Sequence, residues 1–337
     1  MARFSTFGNE LYTGERSYDF IGKRKIWFSI TLVLIVISIL IPIFKGGFNL
    51  GIDFQGGSQF TVSNVANEDI SKGEEAVTAV VPEAEPRVTN ISNNTIRVQT
   101  NQLDDEQTLD VRDALREAYS VSKQEVTSTY IGPAWGQDVT RQAIQGLVIF
   151  VALASVLMAI YFRTWKMSVA SISGMVTVLI TTAGLYSLSD FEVTPSAIIG
   201  FLTILGYSLY DTVVVFDKIR ENTVEIDKST KRTFAEQVNL AVNQTLVRSI
   251  NTSVVAVLPV ASILVIGVFL LGAGTLRDLA LALFIGILIG AATTIFVAAP
   301  MYSWLREREP ELQKQAKKVR QRRSREAAEA DQQTATA

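Results

Sequence analysis

Six stretches of about twenty apolar residues, almost free of charge, constrain this chain more than any other feature. They run over 26–44, 143–162, 167–188, 195–216, 246–271 and 279–305. At 1.5 Å per residue such a run matches the roughly 30 Å hydrocarbon core of a bilayer. Backbone groups in lipid must be satisfied within the chain, which leaves helices or a closed barrel. The runs are continuous rather than alternating, so they read as helices. The chain is therefore expected to be a polytopic α-helical membrane protein with six transmembrane helices. A soluble enzyme as the whole chain is excluded. The first run follows Lys23-Arg24-Lys25, as a secretory signal would. It is too long for that reading, and Lys45-Gly46-Gly47 is no small-x-small cleavage site, so it reads as an uncleaved first helix.

Basic residues in short loops set the orientation. Lys23 to Lys25 precede helix 1, Arg163 and Lys166 separate helices 2 and 3, and Lys218, Arg220, Lys228, Lys231 and Arg232 lie between helices 4 and 5. A basic tail, 306–337, follows helix 6. All four places fall on one side, while the short opposite links hold only Asp190, Glu192, Arg277 and Asp278. The N-terminal segment 1–25, the loop 217–245 and the tail are thus predicted to be cytoplasmic, in a bacterial plasma membrane. The tail reads as a solvated helix or a disordered arm, with anionic lipid head groups as one candidate contact.

Segment 45–141 is then extracytoplasmic, and its acidic residues outnumber its basic ones. Residues 58–63 alternate as a strand, 69–81 suit a helix, and 87–91 and 95–100 read as a hairpin through Ser92-Asn93-Asn94. Leu109, Val111, Leu115 and Tyr119 follow a helical period, and 126–131 closes with a strand. The order βαββαβ predicts a ferredoxin-like α+β domain between helices 1 and 2.

The chain has neither His nor Cys. That removes His-based metal sites and proton relays, Ser-His triads and thiolate chemistry. Proton work falls to carboxylates, and no cofactor, metal or nucleic-acid partner is expected. Helix 4 carries GYSLYDTVVVFDKIREN over 206–222. Asp211 lies six residues before Asp217, about 9 Å deeper. An ionised Asp in lipid costs about 2.5–3.5 kcal/mol, so it needs a partner or a wet cavity. Tyr207, Ser208 and Asp211 share a face with Gly200 and Thr203, and Thr212 is adjacent. Asp217, Arg220, Glu221 and Asn222 form a polar motif at the cytoplasmic interface. Helix 5 opens with NQTLVRSINTS, which places Thr245, Arg248 and Thr252 on one face. Asp211 and Arg248 are expected at similar depth, as a proton-carrying pair. The bland alternatives are an interface-level Asp and an Arg that snorkels to lipid phosphates. In helix 6, Ala282, Gly286, Gly290, Thr294 and Ala298 recur every four residues as a close-packing ridge.

GIDFQGG, 51–57, sits just beyond helix 1. It lacks the Lys-Ser/Thr ending of a phosphate loop. Gly51, Asp53, Gly56 and Gly57 read either as a turn into the first strand or as a hinge for the outer domain.

Together with IGPAWGQDV at 131–139, these motifs resemble the SecD/SecF family of bacterial protein translocase subunits, and within it the SecF type. That family lies in the proton-driven resistance-nodulation-division superfamily. The resemblance covers about residues 20–305. It implies a non-enzymatic transport subunit that pairs with a SecD-like six-helix partner beside the Sec channel. There it would use the proton-motive force, with protons as the coupling ion, to help draw a preprotein across. The family's proton-carrying residues match Asp211 and Arg248. Tyr210 stands where the family usually has Asn. The alternatives are a small-solute or lipid exporter of the same superfamily and a passive scaffold.

Overall fold

A computed structural model describes residues 2–92, 94–162, 164–189, 191–266 and 274–336. Asn93, Arg163, Asp190 and the end of the fifth apolar run, 267–271, lie outside them. The chain opens with α1 (Ala2–Thr13) and α2 (Arg24–Phe44). A four-residue turn, α3 (Ile52–Gln55), leads into β1 (Gly57–Ser63), α4 (Ile70–Val80), β2 (Arg87–Ser92), β3 (Thr95–Thr100), α5 (Asp105–Tyr119) and β4 (Val126–Ile131). Then come α6 (Pro133–Phe162), α7 (Trp165–Leu188), α8 (Pro195–Thr223), α9 (Phe234–Ile266) and α10 (Gly274–Thr293). A π-helical turn, Thr294–Ala298, joins α10 to α11 (Ala299–Arg306), and α12 (Pro310–Thr336) ends the described chain.

Six of these helices, among the described residues, are long and apolar enough to cross a membrane. They sort into two classes. In α7, α8 and the Leu276–Arg306 span, half or more of the apolar window is buried; in α2, α6 and α9 the share is 11%. The first three form the centre and the last three face outward. The difference lies in residue size. Lipid tails are as apolar as Leu, so helices associate where small residues let backbones approach. The helix-6 ridge does this within the chain. A Cβ on Gly286 would collide with the Ile204 side chain of α8, and one on Gly290 would lie 3.3 Å from Ser208 Cβ. The ridge, expected as a close-packing surface, packs on the polar strip of helix 4.

The sheet is antiparallel in the order β2-β3-β1-β4. Side chains alternate in direction along a strand. Phe60, Val62, Ile96 and Val98 therefore join Val77 of α4 and Val111, Leu115 and Tyr119 of α5 in one core. Gln59, Arg97 and Gln99 fall on the opposite face, which turns toward the membrane helices. Local chemistry fixes the helix starts. Asp104 and Gln107 form a reciprocal capping box on α5 (2.7 and 3.1 Å). Thr194 accepts from Ala197 N ahead of Pro195 in α8.

The far end of the bundle is built by tertiary contacts. Asn239 and Asn243 of α9 hold the backbone of Tyr18 and Phe20 (2.8 and 2.9 Å). The tail, expected as a solvated helix or a disordered arm, is a docked helix. Gln315 of α12 donates to the carbonyls of Ser229 and Arg232, each at 2.9 Å, and Arg323 grips Glu236 through two bonds. Lys317, Lys318 and Arg320 remain exposed on its outer side.

Candidate functional site

Asp211 is 5% exposed and faces the seam between α8, α9 and the π-helical turn. Its Oδ1 accepts a hydrogen bond from Ser249 Oγ at 2.8 Å. Its Oδ2 is buried and has no hydrogen-bond partner among the described residues. Thr294 stands beside it, already bonded to Thr212 Oγ1 (3.1 Å) and to Gly290 O (3.2 Å). A π turn carries one extra residue, which turns Thr294 inward at this depth, and such turns recur at functional sites. Ser208 is also buried here, against Gly290, and Tyr207 Oη lies 3.4 Å from Ser253 Oγ.

Arg248 is not the residue that reaches Asp211. It is exposed and donates to the Tyr210 hydroxyl at 3.5 Å, and no ion pair joins it to Asp211 among the described residues. One helical step of 100° separates it from Ser249, which takes the inward place. Thr245 and Thr252 bond to carbonyls of their own helix, Ala241 O and Arg248 O, rather than to Asp211. The Asp217 motif is separate. Tyr161 donates to Asp217 at 2.7 Å, Lys218 pairs with Glu221 at 2.7 Å, Asn222 donates to Gln244 at 2.9 Å, and Arg220 is exposed.

The Gly51–Gly57 segment is packed on both sides. Gly51 N donates to Val193 O (3.0 Å) and Val193 N to Asn49 O (2.7 Å), which ties the segment to the link between α7 and α8. Gly57 has φ +135°, and a Cβ there would strike the Thr100 carbonyl. A Cβ on Gly136 of α6 would stand 2.6 Å from Phe54 O. Asp53 is half-buried, and burial raises its carboxyl above the ordinary Asp value. The negative charge of Glu192 adds to this, and Arg97 opposes it.

Comparison with known proteins decides the family. Residues 110–308 match the family described as protein export membrane protein SecD/SecF, C-terminal, and residues 43–63 match the SecD/SecF GG motif. The protein translocase subunit SecF of Streptomyces coelicolor is 40% identical over 334 residues, covering 98% of this chain and 88% of that one. The chain belongs to the SecF family. SecF of Mycobacterium tuberculosis is also 40% identical, covering 95% and 74%. The crystal structure of SecDF from Thermus thermophilus, a translocon-associated membrane protein, superposes with a TM-score of 0.76 at 30% identity. That match covers 87% of this chain and 39% of the longer SecDF chain.

In this SecF-family chain, Ser249 and Thr294 neighbour the carboxylate without having been expected from the sequence. A signal for Ser249 is present in the sequence. Thr245, Ser249 and Ser253 are spaced by four and form a hydroxyl stripe beside the Arg248 face. Thr294 reads from the sequence as part of the ridge, because a π turn has no sequence signature.

Proposed function

We propose that the chain serves a protein translocase as a proton-coupled, non-enzymatic subunit, working beside a SecD-like six-helix partner and the Sec channel on a translocating preprotein. Both ends of the chain would be cytoplasmic. The α+β unit, ferredoxin-like in its strand order, would lie outside the membrane. The longer SecDF relative supports the pairing, because this chain matches only 39% of it and leaves room for a second half.

The observation that carries the coupling is the bare Oδ2 of Asp211, buried beside a carboxylate oxygen that Ser249 already serves. A buried polar oxygen needs a partner, and a carboxylate in lipid needs a counter-charge, water or a proton. In this reading Oδ2 takes the proton. When the proton leaves, Arg248 turns from Tyr210 toward the new charge, and α8 and α9 shift along their shared seam. A proton crossing the potential releases about 2.3 kcal/mol per 100 mV. At about 1.4 kcal/mol per factor of ten, that biases a two-state motion by more than tenfold. The packed Gly51–Gly57 junction would pass the motion to the sheet domain. The test is export into vesicles from a strain carrying Asp211→Asn. A protein that assembles but no longer responds to the proton gradient supports the reading; an unchanged response overturns it.

A further inference from the structure

A second group of buried charges lies at the other end of the bundle, where the sheet domain meets the membrane helices. Glu192, in the link between α7 and α8, is 6% exposed. Its Oε2 accepts from Arg97 Nη1 of β3 at 2.8 Å and from Gln99 Nε2 at 3.1 Å. The Tyr186 hydroxyl of α7 donates to its main-chain carbonyl at 2.8 Å. Asp278, in the first turns of α10, is 5% exposed and accepts from Thr194 Oγ1 at 3.3 Å. Arg277 stacks 3.9 Å over the Phe191 ring and reaches the Asn90 and Ile91 carbonyls of β2. Asp53 of α3 feels both Glu192 and Arg97. The sheet, the α3 turn, the α7–α8 link and α10 thus meet through charged side chains.

These groups are incompletely satisfied. Glu192 Oε1, Arg97 Nε and Arg277 Nε are buried with no hydrogen-bond partner among the described residues. A cavity of about 40 Å³ lies between Asn90, Arg97, Phe191, Glu192, Arg277 and Asp278. That is room for one water, whose share of liquid volume is about 30 Å³. Three carboxylates, Asp53, Glu192 and Asp278, face two guanidinium groups, Arg97 and Arg277. Among the described residues, the fully ionised cluster holds one more negative than positive charge at a part-buried junction, which is costly. One added proton balances it.

We propose that this cluster is a proton-binding site, with a single proton held on Asp278, whose buried carboxyl accepts from the neutral Thr194 hydroxyl, and that the proton keeps the sheet domain seated on the membrane helices. The proton adds to a carboxylate oxygen and leaves from it, with no other bond changed. Without it the cluster carries an excess charge that is relieved when Arg97 and Gln99 lift away and water enters. The site stands beside the Asp211 reading and does not depend on it.

The test uses the full chain with its six-helix partner in lipid vesicles. Infrared difference spectra across an acid titration read the stretch of a protonated carboxyl. The expected band survives in Asp211→Asn and disappears in Asp278→Asn. A second readout uses cysteines introduced at Leu109 of α5 and Leu188 of α7, since the native chain has none. The ratio of seated to lifted label distances should change by up to tenfold per pH unit, the slope of one proton. Asp211→Asn should keep that slope and Asp278→Asn should flatten it. If Asp278→Asn does not assemble, Thr194→Val, which removes the hydroxyl that Asp278 accepts from, should move the same band and the pH midpoint. A band unchanged in the outer variants, a distance flat with pH, or a shift driven by sodium at constant pH would each overturn the proposal.

Discussion

Ser249 Oγ donates to Asp211 Oδ1 at 2.8 Å, while Arg248, the preceding residue, turns outward to Tyr210 at 3.5 Å. The carboxylate is thus held by a neutral group, with a positive one close by on the next face. Removing the Ser249 hydroxyl leaves both carboxylate oxygens without a partner, and a hydrogen bond to a charged group contributes about 1.5–3 kcal/mol. Ser249→Ala should assemble and lose about tenfold in gradient-driven export. Arg248→Met should lose as much without disturbing the folded seam. Export rates at fixed potential, read beside the yield of purified complex, check both.

The seam between α8 and α10 gives a packing prediction. Gly286→Leu forces side-chain atoms into Ile204, and overpacking costs typically about 1–3 kcal/mol. Gly290→Ala meets Ser208 at 3.3 Å and should cost much less. Thermal unfolding in detergent should rank them in that order. Ile204→Ala combined with Gly286→Leu should recover part of the loss, because the two side chains compete for one space.

Topology is open to labelling, because the chain has no native thiol. Ser58, the natural choice on the first strand, is only 1% exposed and would be a false negative. Gln124 and Thr230 are exposed. A cysteine at 124 should react from outside intact cells, and one at 230 only after they are opened. The reverse pattern would invert the orientation.

The raised Asp53 carboxyl fixes a sign. Burial, then Glu192, makes the seated form hold this proton more tightly than the free chain does. The contribution is fully present below the ordinary Asp value and is lost as pH rises through the raised one. Protection of the Gly51 and Val193 amides, which bridge the junction, should therefore fall across that window once the intrinsic rise of exchange with pH is divided out. Asp53→Asn should remove the part of the fall that lies just above the ordinary Asp range, and protection that rises with pH there would contradict it.

The sequence revealed most of what depends on local composition. Apolar runs located the six helices, since lipid leaves the backbone few options. Alternation at 58–63 and the period through Val111 and Leu115 located the sheet and one of its helices. Relationships between distant residues were not legible. Arg97 and Glu192 are far apart in sequence and neither has a local reason to be paired. Helix α6 begins at Pro133, before its apolar run, because its first turns pack on Phe54 rather than on lipid. Choosing Ser249 over Arg248 needs the rotation of α9 about its own axis, which Thr245 and Thr252 leave open by about one helical step.

The docked tail also bears on biogenesis. Pro310 lies behind all six membrane segments in the chain, yet Gln315 closes the loop at Ser229 and Arg232, between the fourth and the fifth. Chains are made from the N-terminus onward, and finished segments fold as they emerge. This loop therefore stays open at the ribosome until α12 has been synthesised. A nascent protein stalled before residue 310 would expose 229–232 to protease although every membrane segment had already been made.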